Sequence, residues 1–163
     1  MVEQNMVKKS KNGTAKRLNL NTNTPAIFED VKVNVKIKLS LLWIAVLFFY
    51  VYNDILTLLQ PGSVEQLISG ELEGVQFTQV VMLGAAIIMA IPSIMIVLSM
   101  SLPAKTNRTT NLGVGIFHAV LLVGALFGPG ELWAYYAYNM IAEGVIIALI
   151  VWTAWKWPRK EGM

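Results

Sequence analysis

The sequence has no cysteine and a single histidine, His118. Without cysteine there is no disulfide, no thiolate metal site and no thiol nucleophile, whatever the compartment. One histidine leaves no His-x-x-x-His and no Glu-x-x-His pair, which speaks against a di-iron carboxylate bundle, and haem would have to take methionine as its second ligand. A phosphate loop is missing too, since Gly113-x-Gly115 is not followed by Lys and Ser or Thr, and there is no Gly-x-Ser-x-Gly elbow. No metal or cofactor is expected. Charge is also scarce: 14% of the 163 residues are charged and 55% are hydrophobic, with a mean hydropathy of +0.56. That composition excludes an ordinary soluble enzyme. The net charge of +3 is a balance that basic membrane proteins carry, so no nucleic-acid partner is expected.

What is present is four long apolar stretches, at about residues 39–59, 76–101, 112–128 and 133–155. A helix needs about 20 residues to cross a bilayer, and the third stretch is at the short end of the allowed range. The pattern predicts an all-α polytopic membrane protein with four transmembrane helices. All 13 Lys and Arg residues fall in the N-terminal segment, between the second and third stretches (Lys105, Arg108), or after the fourth (Lys156, Arg159, Lys160). Positive charge marks the cytoplasmic side, which puts both termini in the cytoplasm of an inner-membrane, multi-pass protein. The other two loops carry Glu65, Glu71, Glu73 and Glu131 instead. Short loops favour antiparallel neighbours, hence an up-down-up-down bundle.

Residues 1–35 are polar and basic, lack the apolar core of a signal peptide, and read as a disordered leader or a segment resting on anionic lipid. Residues 158–163 form a basic C-terminal tail. In the first outer loop Pro61-Gly62 ends the first span, and Ser63 with Gln66 reads as a capping box opening a short amphipathic helix over 63–69. It is either a lid on the bundle mouth or a plain surface helix.

The chemistry lies in the polar residues inside the spans. An ionised carboxylate near the bilayer centre costs at least about 2.5 kcal/mol, so each needs a partner, a proton or water. Asp54 in the first span and Glu143 in the fourth are the two acids, and no Lys or Arg lies inside any span. Tyr50, Asn53 and Asp54 share most of one helical face, and Tyr136, Asn139 and Glu143 form a stripe about two turns long. With the first and fourth spans antiparallel, Asn53, Asp54 and Asn139 come to similar depths and His118 lies near Glu143 in height. These seven residues are the candidate ligand or proton site. The other reading is a satisfied hydrogen-bond network that only joins helices. Pro92 should kink the second span and free the Ile88 carbonyl, with Ser93 beside it as compensation. Gly124-x-x-x-Gly128 and Ala86-x-x-x-Ala90 permit close helix approach within the bundle or across a homodimer.

At Leu42-Trp43, Tyr50-x-Tyr52-Asn53-Asp54-Ile55-Leu56, Leu98-Ser99-x-x-Leu102-Pro103 and Asn107-Arg108-x-x-Asn111, the chain resembles an uncharacterised family of small bacterial four-helix membrane proteins. Tyr135-Tyr136, Glu143 and Trp152-x-Ala154-Trp155-x-Trp157 complete the likeness, over about residues 40–157. The family has the wider look of DoxX-like proteins. The resemblance implies a fold, a membrane location and an interest in Asp54, Asn107, Arg108 and Glu143, but no activity. Asn107, Arg108 and Asn111 form a cluster at the cytoplasmic end. There Pro103 ends the second span, Asn107 or Thr110 can cap the third, and Arg108 can meet lipid phosphate or helix-end carbonyls.

Three functional readings follow. The first is a polar intramembrane pocket, open to the outer side, that binds a small ligand or proton, with transport as its purpose. The second is a non-catalytic accessory or scaffold subunit. The third is an intramembrane enzyme acting on a lipid-soluble substrate, with Glu143 as acid and Asp54 as base.

Overall fold

The computed structural model describes residues 31–129 and 131–158, so the leader over residues 1–30 and most of the basic tail lie outside the described residues. Five helices and one hairpin make up the fold among those residues. They are α1 (Val35–Leu58), α2 (Ser63–Ser69), β1 (Glu71–Leu72), β2 (Val75–Gln76), α3 (Gln79–Ser101), α4 (Ala104–Ala125) and α5 (Ala134–Trp155). Three of them, α1, α3 and α5, are long and apolar enough to cross a membrane. At 1.5 Å per residue they run about 33 to 36 Å, against a hydrocarbon core about 30 Å thick.

Side chains set the helix ends. Asn34 Oδ1 accepts from the Lys36 amide at 2.9 Å and starts α1 four residues before the apolar stretch does. Thr78 Oγ1 accepts from the Val81 amide at 3.3 Å and opens α3. Leu102 is extended, and Pro103 opens α4 directly behind it.

Two expectations need correction here. The third helix is not 112–128 but Ala104–Ala125, because the polar run from Lys105 to Asn111 is helical and its asparagines find partners in the interior. Asn107 and Thr110 therefore lie inside the helix and cap nothing. The capping box at Ser63 does not form either: Gly62 is the N-cap, with no side-chain cap bond. Ser63 Oγ instead donates to the Thr57 carbonyl at 2.8 Å, and Gln66 Oε1 accepts from the Glu73 amide at 2.8 Å. α2 touches α1 and β1, with Val64 and Ile68 exposed. The β1–β2 turn needs left-handed backbone at both central residues, and Gly74 at φ 82° supplies one of them beside Glu73 at 50°.

The long helices pack in the order α3, α1, α5, α4, with little contact between α3 and α4. Ser40 Oγ to the Ile96 carbonyl (3.0 Å) and Lys36 Nζ to the Leu102 carbonyl (2.7 Å) show α1 and α3 running antiparallel. Asn53 with Asn139 and Thr57 with Tyr135 show the same for α1 and α5. The apolar core of Leu39, Trp43, Val46, Met95, Ile147, Ile150 and Ala154 lies toward the end that carries Lys36, Arg108 and Lys156, the basic end. The opposite end carries Glu65, Glu71, Glu73 and Glu131. Close approach of α4 and α5 depends on Gly115 and Gly144, where a Cβ would stand 2.9 Å from Val151 Cγ2 and 3.3 Å from Leu122 Cδ2. The small residues singled out in the sequence take no such part within the chain. Gly124 has nothing within 4 Å, Gly128 lies past the end of α4, and Ala86 and Ala90 are exposed.

Candidate functional site

Where α3 and α4 part, a cavity of about 360 Å³ opens among the four long helices. Its polar wall is Tyr50, Asn53 and Asp54 from α1 with Tyr136, Asn139 and Glu143 from α5. Its apolar wall is Ala85, Ile88 and Met89 from α3 with Leu121, Leu122 and Ala125 from α4 and Met140 from α5. Helical spacing produces this division. Residues three and four apart fall on one face, so the α1 triplet and the α5 stripe meet across their antiparallel contact. No Lys or Arg lines the cavity. From Tyr136 to Glu143 the α5 wall is about 10 Å deep.

Asn139 Nδ2 donates to Asn53 Oδ1 at 3.3 Å and ties the two polar walls together. Toward the acidic end the Tyr135 hydroxyl meets Thr57 Oγ1 at 2.9 Å and accepts from Gln60 Nε2 at 2.6 Å. Beyond it Tyr136 and Ala125 also line a small cleft with Glu73 and Glu131, and those two acids line a further surface hollow with Glu71. The way from the acidic end to the cavity is thus bordered by carboxylates.

His118 is fully buried behind the cavity wall and is not part of its lining. Its Nδ1 lies 2.7 Å from the Tyr50 hydroxyl, while its Nε2 is buried without a partner. Nε2 lacks a partner in either tautomer, and the Tyr50 hydroxyl pairs with Nδ1 whichever of the two supplies the proton. With the proton on Nδ1 the imidazole donates to the Tyr50 oxygen and leaves the Tyr50 hydroxyl proton for another acceptor; with the proton on Nε2 the hydroxyl donates to Nδ1. His118 and Tyr50 are hydrogen-bonded to each other, and Tyr50 and Glu143 share one cavity wall. Trp43 and Phe117 pack edge-on to the imidazole at 5.4 and 5.7 Å between ring centroids and keep it dry.

Helix α3, continuous through Pro92, contributes to the same wall. Pro92, buried within α3, has no N–H to give Ile88, whose carbonyl is left without its helical partner beside the cavity. Ser93 does not compensate for it, because its Oγ donates to the Met89 carbonyl at 3.4 Å. No residue of α2 lines the cavity, so α2 is not a lid over it.

Asn107, Arg108 and Asn111 lie away from the cavity, near the basic end. Asn107 and Asn111 are fully buried. Asn111 Oδ1 accepts from Trp43 Nε1 at 2.7 Å and from Ser99 Oγ at 3.3 Å, and Asn111 Nδ2 donates to Asn107 Oδ1 at 2.7 Å. Asn107 Nδ2 donates to the Ser99 carbonyl at 2.6 Å. This network pins α3 to α4 and α1. Arg108 parts from it and places its guanidinium over the Trp155 ring, 6.0 Å from the centroid.

Sequence reasoning did not single out Lys36, Thr57 and Gln60, nor the hydrogen bonds of Tyr135. The four-carbon stem of Lys36 lets its ammonium cap the last carbonyls of α3. Among the described residues no group of three or more His, Asp and Glu side chains is placed to hold a metal ion.

Residues 26–162 match the family described as "Family of unknown function (DUF6326)". No curated protein and no solved structure matches the chain.

Proposed function

The chain belongs to that family, DUF6326, whose function is unknown, and from its site we propose an integral membrane protein that binds a small cation, or a proton in its place, in a pocket built on Asp54 and Glu143. One observation carries this reading: two carboxyls and four neutral polar side chains line a single cavity that no Lys or Arg lines. Glu143 is buried in the chain and Asp54, exposed on it, lies within a membrane span in this reading; holding two acids there without a fixed counter-charge is costly, and a cationic ligand or a proton removes that cost. The acids bordering the approach raise the local concentration of cations. The cavity is at the small end of the range for ligand sites.

In this reading α4 is the fourth span. Its polar first turns reach the headgroup layer beside Lys36, and its apolar remainder crosses the core. The basic end faces the cytoplasm of the inner membrane, both termini are inside, and the pocket opens outward. The His118–Tyr50 pair gives Glu143 a neutral polar neighbour, so a proton and a cation compete for the carboxyl. That competition is the elementary event of proton-coupled cation transport.

The test uses sealed vesicles containing the full chain and a pH-sensitive dye, with methylammonium and tetramethylammonium as probe cations. Wild-type protein should exchange a probe cation for protons. Asp54→Asn with Glu143→Gln should abolish the exchange while leaving the helical content and the melting curve of the purified protein intact. Exchange that survives in the double variant would overturn the reading, as would the absence of any exchange or cation-dependent stabilisation in the wild type.

A further inference from the structure

Adjoining the first cavity at Leu122, the α4–α5 seam holds a second hollow, of about 800 Å³, whose chemistry differs from that of the first. Its floor is small, with Ala119, Gly144 and Ala148, and its sides are Ile, Leu and Val; no carboxylate, amide or hydroxyl lines it. Toward the basic end it finishes in Trp152 and Trp155, both exposed. Each indole carries a cation: Lys156 Nζ stands 4.2 Å from the Trp152 ring centroid, and the Arg108 guanidinium stands 6.0 Å from that of Trp155. The two tryptophans are three residues apart on one helical face, so the charges are neighbours.

From Gly144 to Trp155 the groove is about 16 Å long, close to the depth of one leaflet's hydrocarbon, about 15 Å. A groove one leaflet deep, apolar along its length and doubly cationic at its mouth, matches one molecule: an acyl chain joined to an anionic head. We propose that the α4–α5 groove is a binding site for a single anionic phospholipid, its acyl chain against Gly144 and Ala148 and its phosphate held by Arg108 and Lys156. Arg108 supplies a planar fork suited to phosphate oxygens, and Lys156 a mobile point charge. A second copy of the chain fits the groove less well. A two-fold interface there, with its axis along the helices, would bring two Arg108 and two Lys156 side chains together without an acid in the groove to meet them. The inference rests on residence in a membrane and not on the Asp54–Glu143 pocket.

The experiment is native mass spectrometry of the detergent-purified full chain given equal amounts of phosphatidylglycerol and phosphatidylcholine. One retained phosphatidylglycerol is expected. In Arg108→Gln/Lys156→Gln the preference for it should fall about thirtyfold, roughly fivefold for each cation. Ala148→Trp, at an exposed position that can take a large ring, should lose both lipids while its melting curve stays that of wild type. Equal retention of the two lipids by the wild type, or retention that neither variant alters, would overturn the proposal. So would a disulfide-linked dimer formed in vesicles by Ala148→Cys, the sole cysteine in that variant, since it would show a second copy in the groove. Cation exchange through the Asp54–Glu143 pocket should survive in Arg108→Gln/Lys156→Gln, which separates failure here from failure of the pocket.

Discussion

Replacing Asn111 with Leu keeps the branching and heavy-atom count of a fully buried side chain, in a bulkier form, while removing both ends of its amide. Two groups are then stranded: the Trp43 indole N–H, which donates to Asn111 at 2.7 Å, and Asn107 Oδ1, which accepts from it at the same distance. Ser99 loses only a long 3.3 Å bond, and as a helical serine it can turn to a carbonyl one turn back. Each stranded buried group costs about 1–3 kcal/mol in water-soluble proteins, whereas interhelical bonds in membranes average about 0.6 and reach about 1.7 kcal/mol. Two such losses predict a destabilisation of about 2–3 kcal/mol. Trp43→Phe removes the donor but leaves Asn111 Oδ1 with Ser99, and should cost about 1 kcal/mol for the hydrogen bond, plus whatever the smaller ring loses in packing. The double variant should therefore cost about 1 kcal/mol less than the sum of the singles. The assay is unfolding by sodium dodecyl sulfate in mixed micelles, followed by helical circular dichroism. A cost below about 0.5 kcal/mol for Asn111→Leu, or strict additivity in the cycle, would refute the claim that this amide joins three helices.

Two further outcomes follow from the same packing. Gly115→Val should destabilise the protein by about 1–3 kcal/mol, since its Cβ alone would stand 2.9 Å from Val151 Cγ2, and Val151→Ala in the same chain should recover most of the loss in the same unfolding assay. Tyr50→Phe should cost about 1–3 kcal/mol by leaving His118 with two unpartnered ring nitrogens, and Tyr50→Phe/His118→Phe should be closer to wild type than Tyr50→Phe alone, which a melting curve of each protein would check.

The cavity wall was readable from the chain because a charged or amide side chain inside an apolar run stands out, and the 3.6-residue repeat says which of them share a face. Tyr50, Asn53, Asp54, Tyr136, Asn139 and Glu143 were found in that way. The beginning of α4 was not readable for the converse reason. Lys105 to Asn111 has the composition of a loop, and only the tertiary partners of Asn107 and Asn111 make it helix. His118 shows a finer limit. Its height along the bundle followed from helix rise, but its position behind Tyr50 depends on which way the face of α4 turns, which spacing within one helix does not determine. Gly115 and Gly144 escaped notice because a glycine's value lies in what approaches it from another helix.

The bond network around Asn111 fastens α3 to α4 at one end of the pair only. α3 and α4 are held to each other near Leu102 and Pro103 and separate toward the acidic end, as the two arms of a pair of tweezers do. From Asn111 to Ala125, on the cavity rim, α4 is a lever about 21 Å long. A rotation of about 5° about the amide cluster moves that tip by about 2 Å, more than the radius of a water molecule, while displacing the fulcrum hardly at all. The cavity walls around Asp54 and Glu143 are thus anchored from a distance, by two asparagines that do not line the cavity.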